Sequence, residues 1–242
     1  MAANRSRIIR PLALALAVAL AAAGAQAQVP ERQDPQDLAP GFTVRAAGSR
    51  LVVLPPDMEL FSISAGGVEE PRADWTAAAQ KNFGLALAHE GRVLGDRVTT
   101  MDPAQADEFA PITNLHRAVA SAIVLHHVRG GLELPTKGTR LDWSLGDAVR
   151  PLREATGADY ALFTWIRDSY ASGQRKATML ALALLGAISV GGEQVGYASL
   201  VDLRSGRVVW FKRLDRMSGD LREPETAKET VETLLKGFPG LQ

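Results

Sequence analysis

Cysteine is absent from the 242 residues. The chain therefore has no disulfides and must stand on its packed core, even in an oxidising compartment. It also lacks the residue that a bacterial lipoprotein acylates directly after its leader. An excess of charge of either sign is missing too. Lys and Arg number 27 and so do Asp and Glu, which gives no electrostatic reason to expect nucleic acid as a partner.

The usual chemical signatures are equally scarce. A serine nucleophile at a strand-to-helix turn wants Gly-x-Ser-x-Gly, whereas Gly196-Tyr197-Ala198-Ser199-Leu200 has the wrong spacing and falls inside an expected strand. Gly191-Gly192 and Gly196 precede a strand rather than a helix, so they make no dinucleotide fingerprint. Thr136-Lys137-Gly138-Thr139 has the glycine and lysine in the wrong order for a phosphate loop and reads as a surface turn. The four histidines are His89, His116, His126 and His127. His116 and His127 share a helix face but lie three turns apart, roughly 16 Å, too far for one ion. His126 falls on the apolar stripe, which suits a hydrogen-bonded core imidazole. No metal site is expected, no cofactor, and no catalytic residue. Asp159, Asp168, Glu193 and Asp202 sit on or beside expected central strands, where acids mostly face water or cap turns. A hydrolase or small-ligand-binding protein built on such an acidic site is the first alternative.

What is present begins with an address. Arg5, Arg7 and Arg10 precede an apolar run from Leu12 to Ala23, and Ala25-Gln26-Ala27 offers a small-x-small cleavage site. This is the pattern of a secretory signal peptide over residues 1–27, with a hydrophobic core too short for an anchor. The expected mature chain starts at Gln28, carries a net charge near −3 (24 Lys+Arg against 27 Asp+Glu) and is periplasmic. Residues 28–48 hold Pro30, Pro35 and Pro40 and read as an extended linker before a single domain over 49–242.

Within the domain, Leu51–Leu54 is a buried-type strand stopped by Pro55-Pro56, and Met58–Ile63 resumes as another. Pro71 is placed in the first turn of a helix from Arg72 to His89. Arg92–Thr99 is expected as a strand, and Ile112–Val128 as a helix closed by Gly130-Gly131. Ser144 caps a helix through Ala155 that Pro151 bends, and Gly157 ends it. Ala158–Ile166 is apolar on both faces, the mark of a central strand, with Trp165 covered there. Val195–Leu203 and Arg207–Leu214 form a hairpin about Ser205-Gly206. Glu225–Lys236 is a last amphipathic helix. These elements predict a three-layer α/β domain with a mixed β-sheet flanked by helices.

Ala177–Val190 stands apart, with Thr178 and Ser189 as its only polar side chains. As a helix it reaches ~21 Å, short of a ~30 Å hydrocarbon core. A buried helix is the favoured reading. A segment that docks on a partner or dips into a bilayer, and a pair of strands, are the others. In the docking case Leu180, Leu182, Leu184, Leu185 and Ile188 form the interaction surface of an oligomer or a membrane contact.

Two stretches carry a resemblance. Gly157-Ala158-Asp159-Tyr160-Ala161-Leu162-Phe163 resembles the step into a buried strand in the curli assembly and transport component family. The same step occurs in periplasmic proteins with a fold like the TolB amino-terminal domain. Residues Ser199 to Trp210, with Asp202 and Ser205-Gly206 at the turn, are similar to their hairpin. The resemblance implies a non-enzymatic accessory or interaction protein of the cell envelope, with an envelope protein or a second copy as partner. It implies no catalytic residues. The chain departs from the curli family in lacking the acylated cysteine.

Overall fold

The computed structural model describes residues 35–175, 177, 179 and 193–242. The leader lies outside them, as do Leu180, Leu182, Leu184, Leu185 and Ile188.

The centre of the sheet is β5 (Tyr160–Ala171), the strand apolar on both faces. One edge of β5 is shared by two parallel strands laid end to end. β1 (Leu51–Val53) pairs with Tyr160–Leu162, and β2 (Asp57–Ile63) pairs with Trp165–Ala171. Leu54, Pro55 and Pro56 therefore stand against only Phe163 and Thr164, so β1 and β2 are one strand carrying a one-residue bulge. Prolines, which offer no N–H to a ladder, are accommodated at such a bulge. Outside β2 lies β3 (Glu69–Pro71), antiparallel; outside β1 lies β4 (Val98–Thr100), parallel. On the other edge of β5 runs the hairpin of β6 (Gln194–Asp202) and β7 (Val208–Arg216), antiparallel throughout. Gly206 turns it at φ +71°, where an added Cβ would collide with the Gly146 backbone.

Helices cover both faces. α1 (Ala73–His89) and α6 (Pro224–Leu234) seal one core, in which Ala79, Phe83, Val231 and Leu234 meet Leu162, Ile166 and Trp210. α4 (Ala110–Ile123) and α5 (Arg150–Thr156) seal the other, where Ile112, Ile123 and Leu152 meet Ala161, Phe163 and Phe211. The expected three-layer α/β domain with a mixed sheet is what forms.

Local readings differ in places. Arg92–Thr99 is not one strand: α2 (Gly91–Leu94) ends at Gly95, φ +97°, and β4 starts only at the β-branched run of Val98. Pro71 closes β3 rather than opening α1, because an edge strand can forgo one N–H. A short α3 (Pro103–Glu108), capped by Asp102, precedes α4. Residues Val124–Val128 continue α4 as a π-helix. Ser144 Oγ accepts the Gly146 N–H at 2.9 Å and starts a 3-10 turn (Gly146–Val149), and Pro151 lies in the first turn of α5 instead of bending a longer helix. Trp165 is only half-buried.

Segment 35–48 follows the outside of β7. Ala39 N–H donates to the Val209 carbonyl at 3.0 Å, and Lys212 pairs with Asp37 at 2.6 Å. Arg45 ends this run inside the protein, 1% exposed.

Candidate functional site

The bulge at Pro55-Pro56 decides where the polar groups gather. It starts β2 at Asp57, next to the open end of the second core. Arg117 from α4 reaches the Asp57 carboxylate with Nε at 2.8 Å and Nη2 at 2.6 Å. From β5, Arg167 Nη2 meets the other carboxylate oxygen at 2.9 Å, and Arg167 Nε lies 3.6 Å from Glu59. These side chains are a quarter to half exposed, so the ion pairs orient the arginines more than they stabilise the fold. The Arg167 guanidinium lies over Trp165, 4.8 Å from the ring centre. Trp165 stacks on Tyr197 at 5.4 Å, and Tyr197 on Phe211 at 5.2 Å.

Two depressions open on this aromatic row. A crevice of about 230 Å³ lies between the bulge and α4, walled by Pro55, Asp57, Asn114 and Arg117. A groove of about 330 Å³ lies between the end of α4 and the β6–β7 hairpin, walled by Leu125, Arg129, Val195 and Arg213. Arg117, Trp165 and Tyr197 line both. Gly196 belongs to the same wall: a Cβ there would strike the Trp165 carbonyl, so glycine is required for β6 to lie this close to β5.

His116 also lines the crevice, and its Nε2 lies 2.5 Å from Ser199 Oγ. Base and hydroxyl at this distance have the reach of a nucleophilic couple. Their surroundings give them another role. Ser199 has no exposed surface and the imidazole is stacked on Phe163 at 4.0 Å. Burial, with Arg117 adding to it, depresses the His116 pKa to about 3. An imidazole so reluctant to take a proton is a poor general base near neutrality. The pair is a polar lock that fastens α4 to β6.

The histidines thus change places relative to expectation. His116 is the core imidazole, while His126 is half-buried, its Nδ1 2.8 Å from the Leu132 carbonyl and its ring parallel to Trp143. The π-helical turn rotates the last residues of the helix out of the α register on which the apolar stripe was drawn. His127 Nε2 sits 2.7 Å from the Gln36 carbonyl, in segment 35–48. Lys137 lies over Trp143 in the surface loop that its sequence suggested.

The four strand-end acids do not converge. Asp159 accepts the Arg50 N–H at 3.0 Å and pairs with Arg204, and both contacts hold its pKa down. Asp202 caps the hairpin turn through the Arg204 N–H and the Ser205 hydroxyl, each at 2.8 Å. At the other end of β5, Glu193 pairs by its backbone with Ser169. Asp168 is buried there; it accepts from Tyr170 Oη and, at 2.7 Å, from Gln194 Nε2. Burial raises its pKa to about 6 in spite of these donors. Thr230 of α6 continues the chain to Gln194 at 3.0 Å, so this network ties β5 and β6 to α6. Among the described residues no group of three or more His, Asp or Glu is arranged to hold a metal ion, and no helix is long and apolar enough to cross a membrane.

Sequence reasoning passed over the Asp57–Arg117–Arg167 cluster. The two prolines ahead of Asp57 were its one visible signal. Nothing in the spacing of residues 57, 117 and 167 shows that they meet.

No family model matches the chain, and no curated protein is similar to it. Among solved structures it is similar to PelC from Paraburkholderia phytofirmans, crystallised as a dodecamer, at 15% identity and TM-score 0.40, covering 82% of this chain and 93% of that one. It is also similar to lipoprotein GNA1162 from Neisseria meningitidis, at 13% identity and TM-score 0.30 over 71% of this chain and 81% of that one. The LpoB C-terminal domain from Salmonella enterica follows at 12% identity and TM-score 0.29, covering 76% and 96%. These are remote likenesses.

Proposed function

We propose that the chain is an exported, non-enzymatic interaction protein of the bacterial cell envelope. The observation that carries the reading is the contrast between its buried and its open polar groups. The His–Ser couple that has the reach for chemistry is almost wholly buried, with His116 4% exposed on the crevice wall and Ser199 not at all, and its imidazole is held neutral, whereas the open walls carry arginine, tryptophan and tyrosine. Those residue types dominate surfaces that bind rather than react. The tripartite leader supports export, and the lack of cysteine supports a chain that is released rather than acylated.

Fractionation of cells with mass spectrometry of the amino terminus tests this. The expected product is a periplasmic chain starting at Gln28. In addition, Ser199→Ala is expected to lower the melting temperature with no loss of cellular function beyond that loss of fold. Full-length protein recovered from the cytoplasm, or a stable Ser199→Ala chain with no function, would overturn the reading.

A further inference from the structure

We propose that the groove between α4 and the β6–β7 hairpin receives the β2–β3 hairpin of a second copy of this chain. Two surfaces of the same molecule carry the inference, and it is independent of the compartment in which the chain works.

The groove has an apolar floor of Trp165, Val195 and Val124, with Leu125 40% exposed on its lip. Its charged lining is Arg117, Arg129 and Arg213, and neither Asp nor Glu is among the described residues that line it. Arg117 is partnered by Asp57 and Arg213 by Asp215. Arg129 is exposed and makes no ion pair among the described residues. A fitting occupant therefore presents an apolar residue flanked by carboxylates.

This chain displays such a feature on its opposite edge. The turn at Gly66-Gly67 leads into Val68, 62% exposed, followed by Glu69 and Glu70. Both glutamates are exposed and make no ion pair among the described residues. They sit on β3, which has β2 as its one sheet neighbour. The sheet runs β3-β2-β5-β6-β7 between the hairpin and the groove. Two to four strand spacings of about 4.8 Å separate them sideways, and Glu69 pairs with Ile63 whereas Trp165 pairs with Asp57, roughly 20 Å away along β2 at about 3.3 Å per residue, so the two cannot meet within one molecule. Between molecules they can, with Val68 entering over Trp165 and the carboxylates meeting the arginine rim.

Because donor and acceptor surfaces differ, two copies either exchange hairpins reciprocally about a two-fold axis or join head to tail into a ring or an open filament. Part of the attraction is between exposed charges, and it weakens with added salt.

The test is the solution mass of the purified mature chain by light scattering, with two charge-reversed variants. Wild type is expected to run as a multimer. Glu69→Arg with Glu70→Arg, and separately Arg129→Glu with Arg213→Glu, are each expected to run as monomers at an unchanged melting temperature. Mixed in equal amounts they reassemble, because every groove then finds a hairpin of opposite sign. Val68→Asp, a single change at an exposed tip, gives the same loss of assembly should a double reversal disturb folding. A monomeric wild type, assembly that survives these substitutions, or a mixture that stays monomeric overturns the proposal.

Discussion

At the scale of single residues, two buried groups that titrate below neutrality, His116 and Asp168, pull stability in opposite directions with pH. The folded-state pKa of His116 lies near 3, below its ordinary 6.5. The unfolded chain therefore binds the proton more readily, and the stabilisation present above pH 6.5 is lost as pH falls towards 3. A shift of that size corresponds to on the order of 4–5 kcal/mol. Asp168 behaves the other way. Its pKa is raised from 3.8 to about 6, so the stabilisation it provides below pH 3.8 disappears as pH rises through 6, on the order of 3 kcal/mol. Melting temperatures recorded from pH 3 to 8 should show both. His116→Phe should flatten the acid limb below pH 6.5, and Asp168→Asn should remove the decline between about pH 4 and 6. An acid limb that survives in His116→Phe would show that other groups control it. Composition alone said little here. The sequence displays four histidines and many acids, and only the packed structure shows which one of each kind has lost its water.

At the scale of elements, β5 and β7 divide the two cores, and their tryptophans serve different purposes. Trp210 of β7 has no exposed surface and packs against Phe238 at 5.1 Å. Trp165 of β5 is half-buried and forms the floor shared by the crevice and the groove. Trp210→Ala is expected to cost about 3–5 kcal/mol, the price of a large internal cavity. Trp165→Ala should cost less than half as much, since solvent already reaches part of that ring. Denaturant midpoints of the two variants, compared at a common slope, check the order. Equal losses would mean that the floor of the groove is core. The alternation of apolar residues along β5 did reveal a strand with two buried faces. It could not reveal where the helical cover stops, because that depends on how far α4 extends along the sheet before its π-helical turn.

At the scale of the whole molecule, the two ends of the described chain meet at Arg45, whose backbone bonds Gly240 and Gln242 and whose buried side chain adds a cation to the tie. Arg45 donates to the carbonyls of Pro239 at 2.8 Å, Leu94 at 2.7 Å and Val93 at 3.1 Å, and lies over Phe238. Burial lowers its pKa, yet a guanidinium stays charged, and three carbonyls replace its water. Arg45→Ala strands those acceptors and should cost about 3 kcal/mol or more. Hydrogen exchange should then show residues 236–242 and 91–95 opening together. Protection unchanged in both places would mean that the ends are held by something else. By itself the sequence determined the alternation of strands and helices, the central strand and the late hairpin. Each of these is written in local patterns: a period of two or of 3.6, a glycine at a turn. Tertiary structure alone decided that Asp57, Arg117 and Arg167 meet, that His116 closes on Ser199, and that Arg45 belongs to the core. Those contacts join residues tens to hundreds of positions apart, brought together by strand order and by a one-residue bulge, and chain spacing holds no record of either.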